Sequence, residues 1–361
     1  VEWLADDAGI DLDIITDYRH VGHSVPRLHA PASRKGEDLT DALLAAVARR
    51  DIPLALSSPV VRLLRDDDGA LVGAVTRSAD GQESRIGAKK LVLCMNGFGQ
   101  AADLVQRYCP EIAGAMYVGA RGSEGEAIRW GEELGAQMGN MKSYQGYATI
   151  LDPHGELLSW TTIEKGGILV NAQGDRFGDE AIGYSGFAAP VKAQEGPVTA
   201  IFDQAIYDIA AREPWFKEIL DYGAAKPAGS VEELARAIEV DEERLRTTLE
   251  TYNRAASGNV ADPFGRTEFG VAPLSPTFWW ARVVPALLST QGGLMTDAEG
   301  RVLDRSGNRI ANLFAAGGSV AGIAGREGGV GYSSGSGLLH AIGLGWIAAR
   351  AATREISVES E

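Results

Sequence analysis

Cysteine is scarce: the 361-residue chain has two, Cys94 and Cys109. That is too few for a disulfide framework or a four-cysteine metal site, and neither a CxxCH haem attachment nor an iron–sulfur cysteine set is present. The five histidines show no HxxxH or HExxH spacing, so no structural metal is expected. No apolar run reaches the roughly 18 residues that a membrane span needs, and no basic stretch followed by an apolar one opens the chain. Positive charge is short as well: 34 Lys and Arg against 49 Asp and Glu leave a net charge of −15 and a pI near 4.9. Without a basic block to track phosphates, nucleic acid is excluded as an expected partner. These absences predict a soluble, cytoplasmic protein. Repeats and low-complexity linkers are missing too, and so is an initiating Met: the chain starts at Val1 inside a helical pattern, VEWLADDAGI, which predicts that the natural N-terminus is missing.

What is present is ordinary globular material, 45% hydrophobic and 23% charged, long enough for two cores. Over 37–51, Leu39, Ala42, Leu43, Ala46 and Val47 recur at helical spacing, with acids first and arginines last, as a helix dipole favours. The stretch that follows alternates apolar residues and is broken by Asp68-Gly69 and Asp80-Gly81, predicting a three-stranded antiparallel meander. KKLVLCMNGFG is a continuous apolar run ended by glycines, the pattern of a strand buried on both faces of a parallel sheet. A hairpin is expected around Gly174. Between 230 and 257 a helical pair is predicted, with Ser230 and Glu233 as a capping box and Asp241 capping the second helix. Towards the C-terminus, Gly292-Gly293, Glu299-Gly300 and Ser306-Gly307 punctuate short apolar runs, and NLFAAGG reads as a second glycine-ended strand.

Two glycine-ended strands, Leu91 to Gly99 and Leu313 to Gly318, suggest a ligand beyond their carboxyl ends. The second is followed by REGGVGYSSGSGLLHAIGLG, with seven glycines in twenty residues ahead of an apolar helix expected from Gly337 to Arg350. Backbone N–H groups at such a helix start can point at an anionic or electron-rich group. The competing reading of Gly335, Gly337, Gly343 and Gly345 is close helix packing alone. A second ligand reading lies at GFGQAA, Gly97 to Ala102, which matches a relaxed GxGxxA nicotinamide fingerprint but lacks a following strand bearing an acid.

The order GHSVPRLHAP, helix, meander, LVLCMNGFG, GSEGEAIRWGEELGAQMGN, GILVNAQGDRFGDE, the helical pair, STQGGLMTDAEGRVLDRSGNRIANLFAAGG and YSSGSGLLHAIGLGWIAA resembles the FAD-dependent fumarate reductase, succinate dehydrogenase flavoprotein and 3-ketosteroid Δ1-dehydrogenase family over nearly the whole chain. That resemblance implies an α/β fold in which a glutathione-reductase-like FAD-binding domain is interrupted by an α+β capping domain. The implied divisions are 1–125 and 281–361 for FAD and 126–280 for the cap, with the family's opening GxGxxG lying upstream of Val1. Cofactor positions carried over are Asn96, Gly97 and Phe98, where the family usually has TGGF, then Gly317, Gly318, and Ser336, Gly337, Leu338 and Leu339 against the flavin ring. Gly318 stands where many relatives carry an acid. Val60 or Val61 is implied as an adenine contact.

The family moves a hydride between flavin and a carbon beside a carbonyl, while a second group handles the proton. Eight residues after Arg176 of the RF..E segment, where fumarate reductases carry their proton-donating arginine, this chain has Tyr184. The clamp arginine falls at Tyr332, an earlier clamp histidine at Tyr147, and LLST occupies the second histidine region. Tyrosines cannot neutralise a dicarboxylate but can flank an apolar ring and bond a ketone. Tyr184 is therefore the implied catalytic base, and Tyr147, Tyr332 and Gly329 the implied substrate-binding positions. The expected partners are a small-molecule substrate with an activated carbonyl, 3-ketosteroid-like, and an unidentified electron donor or acceptor. Alternatives are a fumarate reductase-like dicarboxylate enzyme, a nicotinamide enzyme, and a truncated, non-catalytic flavoprotein fragment. His340 reads as a core residue, Arg326 as a partner for Glu327 or a loop anchor, and Arg176 with Asp179 and Glu180 as a structural network.

Overall fold

The computed structural model describes residues 1–16 and 23–359, so Gly22 of the GHSVPRLHAP segment lies outside the described residues. The meander forms from strands Val60–Arg65, Leu71–Arg77 and Glu83–Gly87, with Leu64, Leu71 and Val75 turned inward. Both Asp-Gly turns carry their glycine at positive φ, a backbone conformation that residues with a Cβ rarely adopt. The preceding helix spans Gly36–Arg49.

Strand Leu91–Leu93 pairs in parallel with Arg309–Ala315, which in turn pairs antiparallel with Arg301–Leu303. It is shorter than its apolar run, because Asn96 turns at φ +64° and the N–H groups of Met95 and Phe98 donate to the hydroxyls of Ser319 and Thr290 instead of to a strand. It is also an edge strand, and Val92 is 38% exposed. The expected burial on both faces is thus corrected. The two parallel strands end together, since a Cβ on Gly318 would come within 3 Å of Asn96 Oδ1 and the Gly97 nitrogen.

The second and larger core surrounds the 13-residue strand Phe278–Thr290, which runs through the expected boundary at 280. It pairs antiparallel with Val198–Asp203, Lys226–Ala228 and Lys142–Leu151 and parallel with Met116–Tyr117. Its register with Lys142–Leu151 shifts between Val284 and Ala286, at Pro285, which has no N–H for the ladder. Helices Val231–Ile238 and Glu242–Ala256 cover this core through Leu234, Leu245, Leu249 and Tyr252. Ser230 and Asp241 cap them as expected, although Glu233 reaches back to the N–H of Gly229 rather than to that of Ser230. The hairpin around Gly174 is reduced to strand Ile168–Val170 and a single bridge from Val170 to Arg176.

The glycine-rich stretch opens a continuous helical segment: Ser336–Leu339, a π turn at His340–Leu344, then Gly345–Val358, extending past the expected end at Arg350. Ala348, Ala351 and Ala352 pack it on Phe314. Half-buried His340 opens the π turn, and burial lowers its pKa. Arg326 is exposed, and Glu327, its expected partner, instead pairs with Lys142 at 3.2 Å. Among the described residues no helix is long and apolar enough to cross a membrane.

The RF..E segment holds a buried charge network. Glu180 accepts from Arg176 Nε at 3.0 Å and Nη2 at 2.7 Å, from Arg266 Nη1 at 3.1 Å and from the Leu169 N–H at 3.3 Å, while Arg176 Nη1 reaches Asp262 at 2.5 Å. All four side chains are shielded from water. Asp179, expected in this network, instead caps the next turn by accepting from the Ala181 N–H. Glu180→Gln keeps the shape and removes the charge that two buried guanidiniums share. It should therefore cost about 3–5 kcal/mol of stability, read as a lower urea midpoint at neutral pH; an unchanged midpoint would refute the structural role.

Candidate active site

Strand geometry puts Gln145 and Tyr147 on one face of Lys142–Leu151 and Gly146 on the other. The short helix Gly183–Gly186 rides on Gly146: a Cβ there would stand 2.5 Å from Ala188 Cβ, and the Gly146 N–H donates to Ser185 Oγ at 3.0 Å. Gly329 approaches from another side, where a Cβ would come within 2.2 Å of the Ser185 carbonyl oxygen. Two glycines thus hold the Tyr184 turn between strand and loop. Gly329 sits here as a packing residue against Ser185.

From this turn the Tyr184 ring reaches three others, Tyr147 at 5.1 Å, Tyr332 at 6.0 Å and Trp160 at 6.2 Å between centroids. The hydroxyls are used differently. Tyr147 donates to the Leu158 carbonyl at 2.9 Å, so its polar end is engaged within the core. Tyr184 shares a 3.1 Å hydrogen bond with Ser334 Oγ, and the Gln145 side chain stands near enough to favour its ionised form. Ser336 Oγ is buried outside hydrogen-bond geometry of any protein group, yet near enough to Tyr332 to favour its ionised form slightly. Burial holds all three phenols above the ordinary tyrosine range, most strongly at Tyr147 and Tyr332; at Tyr184, Ser334 and Gln145 oppose the rise. The structure therefore brings Tyr147, Tyr184, Tyr332 and Ser336 together. Sequence reasoning missed Gln145, Ser334 and Trp160, of which only Gln145 carried a signal, two residues before Tyr147 on a strand.

Beyond the strand ends, Gly317 at φ +62° lies against Ala341 of the π turn. The helix start beside it has three features that suit a flat, electron-rich ring. Ser336 Oγ is an orphaned buried hydroxyl, a Cβ on Gly337 would meet nothing within 4 Å, and Leu338 and Leu339 are 56% and 60% exposed. These residues fit a flavin ring. Asn96 donates from Nδ2 to Ser123 Oγ, and the Phe98 side chain is fully buried against Tyr108. Val61 stands half-buried in the meander. The GFGQAA turn offers little to a pyrophosphate: the N–H groups of Phe98, Gln100 and Ala101 are already bonded to Thr290, Ser123 and Phe98.

A family model described as FAD binding domain matches residues 1–333. A "probable fumarate reductase Ifc3" of Shewanella frigidimarina is 29% identical over 330 residues, covering 90% of this chain and 55% of that protein. Among solved structures, the open conformation of a flavocytochrome c3 fumarate reductase has a TM-score of 0.76 at 27% identity, covering 98% of this chain and 61% of that one. The 3-ketosteroid-Δ4-(5α)-dehydrogenase of Rhodococcus jostii, in complex with 4-androstene-3,17-dione, has a TM-score of 0.69 at 25% identity, covering 91% of this chain and 67% of that one. The chain spans about half the length of the first of these relatives. With the family match over most of its length, and with a flavin-compatible helix start beside the paired strand ends, the chain belongs to the FAD binding domain family.

Proposed function

We propose that this chain forms the flavin-ring and substrate-facing part of an oxidoreductase acting on a CH–CH bond next to a carbonyl, on a substrate without the two carboxylates of fumarate. In this reading residues 1–125 and 281–361 hold FAD and residues 126–280 cap the substrate. FAD, when bound, supplies the hydride chemistry. Asn96, Gly97, Gly317 and Gly318 would hold it at the strand ends, and Ser336 to Leu339 at the helix start. Tyr184 moves the proton on the neighbouring carbon, held in place by Ser334 and Gln145. Tyr332, beside it, lines the substrate.

One observation carries this reading. Among the described residues, the Tyr147 and Tyr184 hydroxyls bond to a carbonyl and a hydroxyl, and the side chains that act on Tyr184 and Tyr332 are those of Ser334, Gln145 and Ser336, with no guanidinium or ammonium among them. A dicarboxylate entering such a site would lose its hydration without cations in exchange. An apolar ring system bearing a ketone loses little, and aromatic faces suit it. The ketosteroid dehydrogenase likeness supports the same substrate class. The fumarate reductase relatives favour a dicarboxylate, but tyrosines stand where that reading needs cations.

The pH dependence follows from the raised phenol. Below its pKa the deprotonated fraction of Tyr184 grows with pH, so dehydrogenation should accelerate through the alkaline range by about tenfold per pH unit. Ene reduction, in which the phenol donates, should stay flat until the phenol ionises. Tyr184→Phe should lower dehydrogenation of a 3-ketosteroid by about 10²–10⁴-fold and flatten the alkaline rise; an unaltered profile would remove Tyr184 from the chemistry. After incubation with FAD and removal of free cofactor, the chain should retain flavin absorbance that bleaches on addition of a cyclic ketone. A colourless chain would disprove cofactor binding by these residues alone.

A further inference from the structure

The partner of Tyr184 is itself held by a residue more than 300 positions away. His23 Nε2 lies 2.8 Å from the Ser334 carbonyl oxygen. A carbonyl only accepts, so Nε2 carries the proton in this contact. Ser334 sits between Gly331 and Gly335, both at positive φ, in a loop whose backbone has more freedom than most. The same N-terminal segment touches this loop again, since a Cβ on Gly335 would come within 2.4 Å of Leu28 Cδ2. The loop that presents the Ser334 hydroxyl is thus gripped at two adjacent residues, once by a hydrogen bond and once by close packing.

We propose that His23 is a positioning residue for the proton-handling phenol: by fixing the Ser334 backbone it aims Ser334 Oγ at the Tyr184 hydroxyl. The inference rests on the reading of Tyr184 given above for its functional meaning, while its geometry stands independently. Ser334 then does two things. Its hydroxyl shares a hydrogen bond with the Tyr184 oxygen and donates there once the phenol ionises, favouring that state, and its carbonyl takes the tether from His23. Without the tether the glycine-flanked loop samples other conformations, and Tyr184 keeps only Gln145. Other titratable groups near the phenol are Tyr147 and Tyr332, whose rings contact it, and Glu213, which accepts from the Ser159 and Thr161 hydroxyls and acts on Tyr147. None of these touches Ser334 in the described contacts.

The test uses the full chain labelled at the tyrosine ring carbon that bears the hydroxyl, with each phenol titrated by NMR and the Tyr184 signal assigned by its loss in Tyr184→Phe. Ser334→Ala should move the Tyr184 midpoint upward. His23→Leu should move it upward to a similar extent, the double variant should move it no further, and His23→Gln, which retains an N–H donor, should restore it. In the FAD-loaded protein, His23→Leu should reduce kcat about tenfold with KM within about twofold, the signature of a misplaced proton group. A Tyr184 titration that moves with Ser334→Ala but not with His23→Leu overturns the proposal. So does a histidine nitrogen spectrum of the unmutated chain showing Nε2 of neutral His23 without its proton, a result that needs no variant to fold. If Tyr184→Phe leaves turnover intact while the titration still follows His23, the positioning stands and the functional reading of Tyr184 falls.

Discussion

Glu180 is buried with a full charge, and much of the site depends on how that charge is satisfied. Two guanidiniums and a backbone N–H converge on it, and Asp262 takes the remaining reach of Arg176. Removing any member strands a charge away from water, so the four residues require one another. The segment that carries Arg176 and Glu180 runs directly into the Gly183–Gly186 turn. Tyr184 is placed by electrostatics on its N-terminal side and by the Gly146 and Gly329 contacts on its flanks.

The consequence for chemistry is a site built from neutral donors. Aromatic rings remove water around Tyr184, and that removal raises its pKa. Burial alone would hold the phenol permanently protonated. Ser334 and Gln145 act in the other direction, so in the proposed reading proton transfer would depend on the hydroxyl and amide being in register with the phenol. Shielding and positioning are therefore coupled here, and neither serves without the other.

Local chemistry was legible in the sequence where the determinant was local. Asp68-Gly69 and Asp80-Gly81 marked the meander turns, and Ser230 and Asp241 the helix starts. The early end of the strand at Leu93 was not legible, because it follows from hydroxyls at Thr290 and Ser319, some two hundred residues away. The proximity of Tyr147, Tyr184 and Tyr332 came from family resemblance, since no spacing rule links positions so far apart. Ser334 and His23 lay within stretches that carried the resemblance, but nothing singled them out: a serine among glycines and a histidine in a loop look ordinary until the fold sets them beside Tyr184. The register shift at Pro285 was not read from the sequence either, since which partner absorbs it depends on the sheet.

Strand Phe278–Thr290 begins in the core beneath the two capping helices and ends with the Thr290 hydroxyl on the Phe98 N–H, at the turn where the parallel strands finish. One continuous backbone thereby serves both cores. Peeling the capping core from this strand withdraws the bond that helps hold the glycine turn, and loosening that turn frees the end of the strand. The core around this strand and the glycine turn are thus mechanically linked, so under the proposed reading a substrate that tightened the one would also stiffen the other.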